Sequence, residues 1–219
     1  DNLGILLFFW EGLLCTLFGI LLIGRRENPK TAIKALALSG TADLLMMLGI
    51  IVTAHLAGSL NMSEIAAHPL STGGLGALGC ACMLLGAMGK AGAMPFHSWI
   101  PDAASDAPAP FLAAFPGSLE KIAGIYLMTR IIKDLYAVSP GSGMSLFTMI
   151  IGTVTLFFGV AMALIQKDMR RLLSYHAISQ VGYMILGIGT GLSVGIVGGV
   201  FHMMNNALYK TGLFITAGA

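Results

Sequence analysis

The chain of 219 residues is 56% apolar and 10% charged, with a formal net charge of +2 and a mean hydropathy of +0.85. A water-soluble domain of this length does not carry so little polar surface, so lipid is the expected solvent and an all-α, polytopic integral membrane helical bundle the expected fold class. The 12 Lys and Arg form no basic patch with interleaved aromatics, which sets nucleic acid aside, and Cys15, Cys80 and Cys82 lie in apolar stretches without metal or disulfide spacing.

A bilayer core takes about 20 apolar residues per helix. By that measure the sequence predicts a single transmembrane domain of about seven spans, at roughly 3–23, 32–57, 73–98, 109–133, 143–165, 172–190 and 193–217. The chain opens on Asp1 and Asn2, without an initiator Met or a basic leader, and is expected to be a fragment of a longer subunit. The first span carries Glu11 in its middle, and the second carries Asp43 in SGTADLLMM. A polar segment with Asn61, Glu64, His68 and Pro69 follows.

The third span is rich in glycine (Gly73, Gly74, Gly76, Gly79, Gly86), which lets helix backbones approach closely. It also contains Pro95 and Pro101, each expected to break the helix by removing a backbone donor. Pro108, Pro110 and Pro116 interrupt the approach to the fourth span in the same way. Broken helices at membrane depth persist only where protein or a water-filled cavity satisfies the freed groups, so a pathway is expected here. Arg25, Arg26 and Lys30 after the first span and Lys167, Arg170 and Arg171 after the fifth fall on one side if the spans alternate. The positive-inside rule then puts the N-terminus outside, against the minor contrary weight of Arg130 and Lys133.

Ionisable residues inside apolar spans are the decisive signal: Glu11, Asp43, Lys90, Glu120, Lys121, His176, His202 and Lys210. Each charge costs at least ~2.5 kcal/mol at a helix centre, so about one per span implies use. A lysine near a helix break, facing a carboxylate whose distance changes, can hold or release a proton, and Glu11 with Lys90 is the candidate pair. Glu120 and Lys121 stand about 100° apart on a helix and should not share one groove; Lys121 is favoured for the pathway, with Glu120 pairing elsewhere or nearer the membrane surface. Asp43 is open between a supporting role and simple packing. His176, Ser179, Gln180 and Tyr183 form one helical stripe and His202, Asn206 and Lys210 another. Facing each other, these two would make a wire of groups that give and accept protons.

The runs GAMGKAGAMPFHSWIPDAASDAPAP, QKDMRRLLSYHAISQVGYMILGIG and FHMMNNALYKTGLF resemble three successive signatures of the antiporter-like subunits shared by complex I, membrane-bound hydrogenases and Mrp-type cation/proton antiporters. The resemblance covers nearly the whole chain. It implies a fragment of an inverted-repeat fold with discontinuous helices, in which Glu11 matches the family's glutamate, Lys90 the lysine of the first broken helix, and Lys121 a further central lysine. It also implies that His202 and Lys210 sit on the connecting polar axis, and that the second broken helix lies beyond Ala219. Asn206 stands where many members have histidine, and His176 is more like the hydrogenase branch.

The expected function is proton translocation as one subunit of a redox-driven complex, through Glu11, Lys90, Lys121, His176, His202 and Lys210, with Asp43, Glu120, Gln180, Tyr183 and Asn206 in support. No nucleophile motif, phosphate-cradling loop, haem or iron–sulfur motif is present in the sequence. Iron–sulfur, flavin or nickel–iron centres are therefore expected only in partner subunits, namely other membrane-arm subunits and a peripheral redox arm. Multi-pass insertion in a prokaryotic plasma membrane is the expected location. The alternatives are a sodium/proton antiporter subunit, or a structural membrane-arm subunit without a pathway of its own.

Overall fold

A computed structural model describes residues 1–24 and 29–218. Ten α-helices account for most of it: α1 Leu3–Gly24, α2 Lys30–Ala57, α3 Met62–Ala67, α4 Leu75–Ala91, α5 Trp99–Asp106, α6 Ala109–Ala114, α7 Glu120–Arg130, α8 Gly143–Leu164, α9 Met169–Gly189 and α10 Ser193–Thr216. Among the described residues the other pairing is an isolated β-bridge between Asn2 and Asn61. Among the described residues four stretches are long and apolar enough to cross a membrane: Leu3–Ile23, Lys30–Ala57, Leu75–Asp106 and Gly143–Leu164. Large apolar side chains such as Phe8, Val194 and Leu208 point outward, the arrangement of a protein solvated by lipid. The chain is a multi-pass integral membrane protein.

The expected break in the third span is real and sits at Gly92–Pro95. Gly92 caps α4 with φ 80°, a left-handed conformation that favours glycine, and the Met94–Pro95 bond is cis. A 3₁₀ turn, Phe96–Ser98, then leads into α5. Pro101 does not break a helix as the sequence suggested. It is the third residue of α5, where the first four N–H groups have no intrahelical acceptor and a missing donor costs nothing. Nor does Pro116 end the next rod: α6 and α7 are joined by a π-helical turn, Phe115–Leu119, whose wider winding accommodates the proline. A second π-turn, Ile131–Leu135, finishes that rod.

Close approach of backbones sets the spacing. A Cβ at Gly89 of α4 would collide with Ala42 of α2, and one at Gly124 of α7 would lie 2.7 Å from the Ala91 backbone nitrogen of α4. The α4 helix is thereby pressed between α2 and α7, and each contact lies within a turn of a charged residue.

The ends of the rods sort themselves. At one end, Leu3 and Met62 exchange backbone hydrogen bonds with Leu60 and Asp1, and Leu70 bonds to Leu135. There Ser59 and Asn61 donate to Glu64, which holds that carboxyl below its ordinary range. At the other end, Thr31 bonds Asp106 at 2.5 Å and Lys34 bonds Asp102 at 2.7 Å, tying α2 to α5. Arg25 and Arg26, used above for orientation, lie outside the described residues.

The core divides into two apolar clusters, one built around Met46, Met83, Met88, Ile125 and Met184, the other around Leu17, Trp99, Phe111, Leu173 and Phe214. Along several rods the change from one cluster to the other falls at the charged positions. Trp10 and Leu17 flank Glu11, Ala35 and Met46 flank Asp43, Phe115 and Ile125 flank the Glu120–Lys121 pair, and Met203 and Phe214 flank Lys210. The ionisable residues thus form a belt between two apolar layers.

Candidate functional site

The belt begins at Lys90, in the last turn of α4, just before the helix break. Its ammonium is sealed from solvent and makes an ion pair with Asp43 Oδ2 at 3.2 Å. It also donates to the Trp10 backbone carbonyl at 3.2 Å and stands 5.0 Å above the Trp10 ring. The other Asp43 oxygen accepts from the Trp10 indole N–H at 2.7 Å. Asp43, whose role the sequence left open, is thus the direct counter-ion of Lys90. Glu11 sits one residue from Trp10 on α1, half-buried, within electrostatic reach of both Lys90 and Asp43. Trp10 was missed by sequence reasoning, because an indole beside an acid in an apolar helix gives no distinctive signal.

On the next rod both Glu120 and Lys121 are buried, at 2% exposure each. Of the two places left open for Glu120, pairing elsewhere or lying nearer the membrane surface, the second is not taken, because α7 is enclosed on several sides and two directions on it are both interior. Glu120 is within electrostatic reach of Lys90, Lys121 and Asp43, and its Oε1 has no hydrogen-bond partner. Lys121 Nζ donates to the Pro116 carbonyl across the π-turn. It is also within reach of Lys210, which is wholly buried in α10 and donates to the Leu173 carbonyl of α9 at 3.2 Å.

The two polar stripes of α9 and α10 meet at Gln180 and His202, whose Oε1 and Nε2 are 2.8 Å apart. Tyr209 donates to the same Gln180 oxygen at 3.2 Å and receives a hydrogen bond from Asn206 at 2.7 Å. Tyr183 meets the His202 ring edge-on, with centroids 6.1 Å apart. Gln180, Tyr183 and His202 line an open groove of ≈ 530 Å³ floored by glycine. His176 is on the exposed side of α9, within electrostatic reach of Lys210 and His202. Tyr209 was missed, although its spacing of three from Asn206 and seven from His202 places it on the same helical face.

This row of carboxylates, amines, imidazoles and a phenol, between apolar layers and beside a broken helix, is made of groups that can pass protons. The whole of it, residues 1–219, matches the family described as NADH:quinone oxidoreductase/Mrp antiporter, TM. The chain belongs to this family. It is 32% identical over 222 residues to a Na(+)/H(+) antiporter subunit of Alkalihalophilus pseudofirmus, covering 100% of the chain and 44% of that protein. It is 34% identical over 228 residues to NADH-quinone oxidoreductase subunit L of Pseudomonas aeruginosa, covering 100% of the chain and 35% of that protein. Its fold superposes on a chain in the structure of the Mrp complex from Dietzia sp. DQ12-45-1b with a TM-score of 0.92 at 26% identity, over 100% of this chain and 24% of that one. The chain therefore spans less than half the length of these family members.

Proposed function

We propose that this chain is the proton-conducting part of an antiporter-like membrane subunit within a larger, redox-driven complex, with seven membrane crossings and its N-terminus outside. The observation that carries the proposal is Lys90: a buried ammonium, next to a helix break, shared between a carboxylate and a backbone carbonyl. A cation held this way is expensive as a purely structural element, whereas loosening of one partner turns it into a proton donor. Glu11 acts on this centre from α1, Asp43 holds the charge, and Lys121 and Lys210 receive it. His202 and Gln180, with His176 behind them, continue the path towards neighbouring helices. Other membrane subunits and a redox arm would supply the driving reaction, and flavin, iron–sulfur or nickel–iron centres would reside there. The expected plasma-membrane location and the His176 likeness to hydrogenase-type members belong to the same proposal.

A second reading, a sodium/proton antiporter subunit, draws support from the Alkalihalophilus relative. Against it, both Asp43 oxygens are already engaged by Trp10 and Lys90, leaving few free carboxylate oxygens for a hard cation. The test is Lys90→Ala in the assembled complex, in vesicles, with redox turnover and pH-gradient formation measured together. Pumping per electron falls in an assembled complex if the proposal is right. Unchanged pumping per electron would make Lys90 structural, and sodium-dependent gradient collapse would favour the second reading.

A further inference from the structure

We infer that Glu120 is the proton-carrying bridge by which the Lys90–Asp43 centre hands its proton to Lys121, making α7 a step in the path through two adjacent residues. This deepens the function proposed above and rests on it. Three observations converge. Glu120 is 2% exposed, yet one carboxylate oxygen, Oε1, is buried without any hydrogen-bond partner. An acid in the interior normally finds its donors, and a buried oxygen that no protein donor holds is open to receive a proton. Glu120 also lies within electrostatic reach of Lys90 and Asp43 on one side and of Lys121 on the other. Finally, one turn further along α7, Gly124 packs its bare backbone against Ala87 and Ala91, in the same last turn and a half of α4 that carries Lys90. That close approach brings the Glu120 turn against the end of α4.

Adjacent residues on a helix diverge by about 100°, so one cannot stand in for the other in a single groove. Here the divergence is what the step uses. Glu120 turns toward the α4 side and Lys121 toward α10, where it senses Lys210. In the transfer, an N–H bond of the Lys90 ammonium breaks and an O–H bond forms on the Glu120 carboxylate. That leaves a neutral amine at Lys90 and a neutral acid at Glu120. The Glu120 O–H bond then breaks as an N–H bond forms on a neutral Lys121 amine, restoring the carboxylate. Charge and protons balance with no other reactant. The Pro116 carbonyl, which accepts from Lys121, holds the receiving amine on its side of the helix.

The test compares Glu120→Gln, Glu120→Asp and Lys90→Ala in the assembled complex containing the full-length subunit, in vesicles, reading pH-gradient formation against redox turnover. Glutamine keeps size and polarity but cannot take the proton. The expected result is an assembled Glu120→Gln complex with proton transfer through this subunit slowed about 100-fold, while Glu120→Asp retains most of it. If Lys90→Ala abolishes pumping and Glu120→Gln leaves it unchanged, the pathway stands and the bridge is overturned. If neither changes pumping, the function proposed above falls as well. Should Glu120→Gln fail to assemble, infrared difference spectra of the wild-type and Glu120→Asp complexes during turnover decide the matter. A protonated-carboxyl band that shifts with the aspartate substitution supports the bridge, and its absence overturns it.

Discussion

Lys90 and Asp43 are an ion pair with almost no access to solvent, so they are asymmetric in what their loss does. Removing only the carboxylate leaves an ammonium whose remaining contacts are one carbonyl and one ring face. Asp43→Asn is expected to destabilise the complex by about 3–5 kcal/mol, and Asp43→Asn combined with Lys90→Met to recover most of that loss, because the neutral pair no longer buries an uncompensated charge. Thermal denaturation of the detergent-solubilised complex measures both, and equal losses in the single and double variants would show that the pair carries no such penalty. The sequence made Lys90 conspicuous because a lysine in an apolar, glycine-rich helix is costly to place in a membrane. It left Asp43 undecided because SGTADLLMM does not say which neighbour lies across from it. Contact with Lys90 comes from helix packing, which one sequence does not encode locally.

At the scale of elements, the α4–α7 contact is made possible by Gly124. Gly124→Val must push α7 away from α4, with an overpacking cost of about 1–3 kcal/mol. It should also slow proton transport in the complexes that do assemble. Gly12 on α1 meets nothing within 4 Å, so Gly12→Ala is the matched control and should change neither. Transport and melting temperature of both variants check this, and a Gly124→Val complex that pumps normally would separate the helix contact from the path. The apolar rods themselves were plain from the sequence, since runs of lipid-compatible residues need no tertiary information. The turns that position the site were not. Proline composition flagged Pro95, Pro101 and Pro116 alike, yet only the first stands at a break, because tolerance depends on helix position and on the π-turn around Pro116.

For the whole molecule, the end-to-end hydrogen bonding fixes which linkers share a side. The Asn2–Asn61 bridge and the Leu70–Leu135 bond gather the N-terminus, the α2–α4 linker and the end of the α6–α7 rod together, while Lys167 lies at the opposite end, between α8 and α9. Single cysteines at Ser63 and Lys167, both exposed, should therefore react with a membrane-impermeant maleimide from opposite faces of intact cells and inverted vesicles, Ser63 from outside. Reaction of both from one face would contradict the proposed alternation of crossings. The Lys and Arg bias of the linkers points to the same orientation without any tertiary geometry.

With the rods along the membrane normal, the belt of ionisable residues lies across them, roughly parallel to the bilayer surface. Moving one elementary charge through the full membrane voltage takes about 2.3 kcal/mol per 100 mV. On the proposed path a proton moving sideways from Lys90 to Lys210 would cross almost none of that field, so electrical work would be confined to the steps that carry it up or down through the two apolar layers.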